Sequence, residues 1–204
     1  NNITNEHTPG KTSVTVTKAW KDNDNQDGAR SNTVTVHLYA NGKDTKQSVE
    51  LSNTNNWTAS FKDLAEKKNG KAIEYTVKED AIKGYTETTS GDAKSGYVIT
   101  NTHASATTSV SGTKTWKDND DQDGARPKEI TVNLLANGKK VDSKKVTSAD
   151  NWKYSFNNLP KYENGKSISY SVTEDAVPNY TTTYQGNNIT NEHTPGKTSV
   201  TVTK

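Results

Sequence analysis

Hydrophobic and polar residues alternate with period two along much of the chain. Val14, Val16, Lys18 and Trp20 alternate with Thr15, Thr17 and Ala19. Val34, Val36 and Leu38 alternate with Thr35 and His37, and Ile73, Tyr75 and Val77 with Glu74, Thr76 and Lys78. Successive side chains of a strand point to opposite faces, so each run predicts a strand with one buried face in an antiparallel sheet. Turn dipeptides separate the runs: Asp27-Gly28, Asn41-Gly42, Asn69-Gly70 and Gly91-Asp92, echoed by Asp123-Gly124, Asn137-Gly138 and Asn164-Gly165. No long stretch carries a helical period.

Repeats organise these strands. Residues 1–18 (NNITNEHTPGKTSVTVTK) recur identically at 187–204. Inside that long period lies a weaker repeat of about half the length. Lys18-Ala19-Trp20-Lys21-Asp22-Asn23-Asp24 aligns with Lys114-Thr115-Trp116-Lys117-Asp118-Asn119-Asp120, and Gln26-Asp27-Gly28-Ala29-Arg30 with Gln122-Asp123-Gly124-Ala125-Arg126. Further on, Asn56-Trp57 aligns with Asn151-Trp152, Tyr75-Thr76-Val77-Lys78-Glu79 with Tyr170-Ser171-Val172-Thr173-Glu174, and Ile99-Thr100-Asn101 with Ile189-Thr190-Asn191. The chain reads as two related modules, 10–103 and 104–195. Residues 1–9 read as the tail of a preceding repeat and 196–204 as the start of a following one. The short links Thr8-Pro9-Gly10, Ala104-Ser105-Ala106 and Thr194-Pro195-Gly196 suit spacers. About seven short strands in roughly 93 residues predict an immunoglobulin-like sandwich for each module.

Composition narrows the chemistry. Only 28% of the 204 residues are hydrophobic, and Leu, Ile, Val and Phe number 30. That lies below the roughly 20% at which disorder becomes an option. However, 26 basic and 24 acidic residues leave a net charge of only +2, and 31 Thr, 9 Tyr and 4 Trp favour folded strands. Without Cys there is no disulfide framework, thiol nucleophile or cysteine zinc site. No apolar run approaches the roughly 18 residues of a membrane span, and no stretch has the signal-peptide pattern. An evenly spread charge gives no case for nucleic acid or an anionic membrane as partner. No cofactor or phosphate-loop motif appears, so turnover of an external substrate is not expected. Each module is small and thin-cored, and needs a further source of stability.

Three polar residues fall on the core-facing phase. Val14 and Val16 put Lys18 on the inner face, Tyr75 and Val77 put Glu79 there, and Ile99 puts Asn101 there. Val110, Tyr170 with Val172, and Ile189 do the same for Lys114, Glu174 and Asn191. A charge buried alone costs several kcal/mol, so each trio should meet. Two readings stay open at this point. One is a buried Lys–Glu ion pair with an Asn hydrogen bond, or strand ends at which all three reach solvent. The other is covalent chemistry. Burial lowers the pKa of a lysine and raises that of a glutamate, which brings a neutral amine beside a protonated acid within reach. The amine would attack the Asn carbonyl while Glu polarises it and shuttles protons, and ammonia would leave. Aromatic walls at Trp20 and Tyr75, and at Trp116 and Tyr170, would exclude water.

These residues carry a resemblance. Val16-Thr17-Lys18-Ala19-Trp20-Lys21-Asp22, Gln26-Asp27-Gly28-Ala29-Arg30, Asn56-Trp57, Tyr75-Thr76-Val77-Lys78-Glu79 and Ile99-Thr100-Asn101 resemble the Cna protein B-type domain, the stalk repeat of staphylococcal and other Gram-positive surface adhesins. The second module matches more fully, through Arg126-Pro127 and Leu159-Pro160-Lys161-Tyr162. In the first, Ser31 replaces that Pro and Leu64-Ala65 replaces Leu-Pro. The resemblance implies two tandem all-β, inverse immunoglobulin-like (prealbumin-like) sandwiches. It also implies Lys18–Asn101 and Lys114–Asn191 isopeptide bonds between first and last strands, assisted by Glu79 and Glu174, with no metal or cofactor. It further implies a secreted protein attached to the cell wall through its parent chain, not inserted in the membrane, with a separate head domain holding any host matrix ligand. The alternative is a module that itself binds host matrix protein; fold and repetition alone cannot assign binding.

Other candidates are weaker. Asp22, Asp24 and Asp27 before Gly28, and Asp118, Asp120 and Asp123 before Gly124, depart from the EF-hand spacing and lack its distal Glu. They read as carboxylate-rich turns in which Arg30 or Arg126 pairs an Asp. His7, His37, His103 and His193 read as lone exposed residues, since metal sites need clustered ligands. The duplicated ends raise strand exchange between molecules as an expectation.

Overall fold

The first long alternation folds as its phase requires. Strand β1 (Lys11–Lys21) buries Val14, Val16 and Lys18 while Thr15, Thr17 and Ala19 stay partly exposed. β2 (Thr33–Ala40) buries Val34, Val36 and Leu38 in the same way. The remaining strands of this half are β3 (Lys43–Ser52), β4 (Thr58–Ala65), the two-residue β5 (Lys67–Lys68) and β6 (Lys71–Ala72), β7 (Tyr75–Glu79), β8 (Thr86–Asp92) and β9 (Gly96–Thr102). The computed structural model describes residues 1–204, which divide into two units, Asn1–Ser105 and Ala106–Lys204. In the second unit the strands are β10 (Thr107–Lys117), β11 (Glu129–Ala136), β12 (Lys139–Thr147), β13 (Lys153–Pro160), β14 (Tyr162–Glu163), β15 (Lys166–Ser167), β16 (Tyr170–Glu174), β17 (Thr181–Gln185) and β18 (Asn188–Glu192).

Each unit is a sandwich of two sheets. In the first, a four-stranded sheet ordered β4-β1-β9-β8 faces a three-stranded sheet ordered β3-β2-β7, and β5-β6 forms a small ribbon. The second repeats this order with β13-β10-β18-β17, β12-β11-β16 and β14-β15. Val14, Val16, Phe61 and Ile99 of the larger sheet meet Val36, Leu38, Leu51 and Val77 of the smaller one in the first core. Val110, Phe156 and Ile189 meet Val132, Leu134, Val146 and Val172 in the second. Each such side chain contributes about 1.5–3 kcal/mol on burial.

Four of the turn dipeptides act as the sequence predicts. Asn41-Gly42 joins β2 to β3 with Ala40 paired to Lys43, and both turn residues take positive φ, 48° and 78°. That is the type I′ geometry favoured by hairpin twist. Asn69-Gly70, Asn137-Gly138 and Asn164-Gly165 do likewise. Gly91 lies within β8 rather than at a turn centre.

The first and last strands of each sandwich are neighbours and run parallel, whereas every other pairing is antiparallel. Lys18 pairs with Ile99 and Trp20 with Asn101; Lys114 pairs with Ile189 and Trp116 with Asn191. This register brings a Lys at one strand and an Asn two residues further along the other onto one face.

One core layer is built differently in the two units. Val16 pairs with Ala59 in the first, and Gly112 with Tyr154 in the second. Tyr154 lies across the missing side chain and donates its hydroxyl to the Asn187 carbonyl. A Cβ on Gly112 would run into that carbonyl and the Tyr154 hydroxyl. The first unit draws its aromatic from the other side of β1, where Tyr97 of β9 donates to the Tyr75 carbonyl at 2.6 Å.

Candidate functional site

In the first unit the inward phase of three strands converges. Lys18 Nζ of β1 stands 3.0 Å from Glu79 Oε2 of β7, and both side chains are fully buried. Asn101 Nδ2 of β9 donates to Glu79 Oε1 at 2.7 Å. Glu79 is thus bound on one oxygen by the amine and on the other by the amide. Asn101 Oδ1 is buried without a partner. Lys18 also reaches the Ile99 carbonyl at 3.5 Å. Burial lowers the Lys18 pKa, against the hydrogen bond and charge of Glu79 and the charges of Glu87 and Asp22.

The second unit assembles the same residues with a different lysine contact. Asn191 Nδ2 donates to Glu174 Oε1 at 2.7 Å, and Asn191 Oδ1 and Glu174 Oε2 are buried without hydrogen-bond partners. Lys114 makes no ion pair with Glu174. Its Nζ turns to the Thr115 carbonyl at 3.2 Å and lies 3.3 Å from the centre of the Trp116 ring. Burial lowers the Lys114 pKa to about 8 and raises that of Glu174, the latter opposed by Asn191 and by the charge of Lys114. Both shifts favour an uncharged pair.

An aromatic wall closes each site. Trp20 packs edge-on against Trp57 and Tyr85, with ring centres 5.3 and 5.2 Å apart. Trp116 packs the same way against Trp152 and Tyr180. The sequence reading placed Tyr75 and Tyr170 in this wall; the wall residues are Tyr85 and Tyr180, while Tyr75 and Tyr170 bond carbonyls of Ala65 and Pro160. Arg30 covers Trp20 from the acidic turn and binds Asp22 through Nε at 2.9 Å and Nη2 at 2.6 Å. Burial alone would raise the Asp22 pKa, yet Arg30, the Tyr85 hydroxyl and the Asn25 amide hold it at about 2. Arg126 holds Asp118 in the same fork, well below the carboxylate range. The acidic turns are therefore arginine-paired struts behind the tryptophans.

The histidines differ from the sequence reading. His103 and His193 are anchored rather than lone and exposed. His103 contacts Asp27 Oδ2 through Nε2 at 2.8 Å and the Gly84 carbonyl through Nδ1 at 2.7 Å. His193 does the same with Asp123 at 2.9 Å and Asn179 at 2.8 Å. His37 meets Asp80 at 2.9 Å, and His7 is exposed. Sequence reasoning also passed over Thr182, which touches both Glu174 and Asn191. Its inward phase, shared with the closing Asn across β17–β18, was the available signal.

Two homologous sandwiches in tandem, each with a buried Lys, Glu and Asn between first and last strands, define a class of inverse immunoglobulin-like repeat module. The Cna protein B-type domain family model matches residues 14–102 and 110–192, and the chain belongs to that family. A collagen adhesin of Staphylococcus aureus is 52% identical over 203 residues, covering 99% of this chain and 17% of that protein. The crystal structure of two B repeat units of the collagen binding protein of Staphylococcus aureus superposes with a TM-score of 0.84 at 50% identity, covering 93% of this chain and 51% of that one. The chain thus spans only a small part of its curated relative.

Proposed function

We propose that 10–103 and 104–195 are stalk repeats of a cell-wall-attached surface adhesin, each locked by a self-formed Lys–Asn isopeptide bond, Lys18–Asn101 and Lys114–Asn191. The observation that carries this reading is the buried chain Lys18–Glu79–Asn101, with links of 3.0 and 2.7 Å between the first and last strands. Transfer of a proton from Lys18 to Glu79 creates an amine nucleophile next to an acid in a site closed to water. Nζ then bonds to Asn101 Cγ and the Cγ–Nδ2 bond breaks. Nζ gives up a second proton as the amide forms, both protons pass through Glu79 to the departing nitrogen, which leaves as ammonium, and Glu79 returns to its carboxylate. Each site reacts once, so the module is not an enzyme with external turnover. Family membership and the 52% identity to a collagen adhesin support the stalk assignment. The parent chain would supply wall attachment and a separate head for the host ligand.

Intact mass tests the bonds. The full chain should weigh two ammonia molecules less than its sequence, and Lys18→Ala should forfeit one of the two losses. A mass equal to that of the sequence overturns the proposal. A collagen-binding assay on the same fragment tests the stalk role, since saturable submicromolar binding would assign adhesion to the repeats themselves.

A further inference from the structure

Strand β17 places Thr182 directly opposite Asn191. Opposed residues of an antiparallel pair share one face. In the first unit the same position, opposite Asn101, holds Glu87. Thr182 Oγ1 accepts from Asn191 Nδ2 at 2.8 Å and donates to Glu174 Oε1 at 3.2 Å. Glu87 is exposed and accepts from Thr89 at 3.0 Å, touching neither Asn101 nor Glu79.

The chemical difference is in donors. A hydroxyl both donates and accepts, whereas a carboxylate only accepts. Attack of Lys114 Nζ on Asn191 Cγ moves negative charge onto Oδ1, which in the resting arrangement is buried without a partner. A half-turn of the amide about Cβ–Cγ exchanges oxygen and nitrogen. Oδ1 then faces the Thr182 hydroxyl and the protonated Glu174, two donors aimed where charge develops. The first unit offers Glu79 alone at this place. We propose that Thr182 is a catalytic donor for the second cross-link, a part that Glu87 cannot take in the first, so that the two modules close at different rates. This rests on the isopeptide reading. In the step Nζ–Cγ forms and Cγ–Nδ2 breaks. One proton passes from Nζ through Glu174 to the leaving nitrogen, and no co-reactant is consumed.

The full chain, collected unfolded from inclusion bodies and transferred to refolding buffer, gives the rates. Ammonia loss is followed for each module by mass spectrometry of its cross-linked peptides, with tryptophan fluorescence reporting refolding. The second module should close faster than the first. Thr182→Val should slow the second by about a hundred- to a thousandfold, the usual scale for losing one oxyanion donor. Thr182→Ser should restore most of the rate, which a purely packing role would not predict, and Glu87→Thr should speed the first module. Parental closure in Thr182→Val, failure of Thr182→Ser to rescue, or no gain in Glu87→Thr overturns the assignment. No ammonia loss from either module of the refolded parent overturns instead the cross-link reading beneath it.

Discussion

Trp20 lies opposite Asn101 across the parallel β1–β9 pair, two residues beyond Lys18 on the same strand. The indole therefore walls the lysine's route to the amide, and Lys18 Nζ sits 4.6 Å from its ring centre. The same register sets the mechanics. Load applied to the two ends of a module enters β1 at its start and leaves β9 at its end. The parallel pair is then sheared along its length, with its ladder bonds loaded together.

The proposed covalent Lys18–Asn101 tie would carry that load past the rest of the sandwich. Single-molecule pulling should show no unfolding step for either parental module. Lys18→Ala should release one step, since a 94-residue module extends to about 300 Å at roughly 3.3 Å per residue. A parental trace containing two such steps would show that neither tie is present.

Glu79 is the group whose loss separates chemistry from packing. Glu79→Gln keeps the shape but removes the acid and the counter-charge of a fully buried ammonium. The first module should retain its ammonia. Its unfolding free energy should fall by about 3–5 kcal/mol from the unpaired charge. Loss of the covalent constraint should remove up to about 4–5 kcal/mol more in the entropic account of loop closure. Pairing Lys18→Met with Glu79→Leu should recover the first part and not the second. Intact mass and denaturant unfolding read the two effects separately.

The sites were legible because alternation is strict. In the first module three strands carry a polar residue two places beyond a buried one; in the second Lys114 lies four places beyond buried Val110, and burial at Lys18, Asn101, Lys114 and Asn191 follows that phase. The parallel pairing of β1 with β9 was not legible from alternation, because period two is the same for either direction. Nor was the choice of Tyr85 over Tyr75 as the wall, since Tyr85 stands in a loop where strand phase has no meaning. Lys114 turning to Trp116 depends on side-chain rotation, which no spacing encodes. Thr182 was hidden by abundance, as one of 31 threonines in the chain.

His103 and His193 should make stability depend on pH. Each ring has a carboxylate at Nε2 and a backbone carbonyl at Nδ1, so both nitrogens are best satisfied as donors, in the imidazolium form. The bond to Asp27 or Asp123, then that to the carbonyl, raises the folded pKa above the ordinary 6.5. The nearby rings are Tyr85 and Tyr180, and the charges of Asp22 and Asp118 act in the same direction. A raised value means the contribution is complete below pH 6.5 and fades as pH climbs through the folded value. The thermal midpoint should therefore fall between about pH 6 and pH 8. His103→Gln and His193→Gln should flatten that slope together. An unaltered slope in the double variant would assign it to other groups.

The Val16–Ala59 and Gly112–Tyr154 pairs predict a coupling that single substitutions conceal. Both occupy the same place between the second sheet position and its edge strand, with a large residue on one partner and a small one on the other. Gly112→Val meets the Asn187 carbonyl and the Tyr154 hydroxyl, so it should destabilise the second module by at least the 1–3 kcal/mol usual for overpacking. Tyr154→Ala empties a buried site and removes the bond to Asn187, at about 3–5 kcal/mol on the scale of a lost aromatic. Combined, the two changes recreate the first module's pair, and the double variant should be more stable than their sum by about 1–3 kcal/mol, the range found for residues in contact. The rescue should be incomplete, because Asn187 stands where the first module has Tyr97 and supplies no aromatic to that layer. Adding Asn187→Tyr should close the remaining gap. Denaturant unfolding of the four variants in a Lys114→Ala background, where the core is not held by a cross-link, measures the cycle; strict additivity would mean the two layers are not alternative solutions to one packing problem.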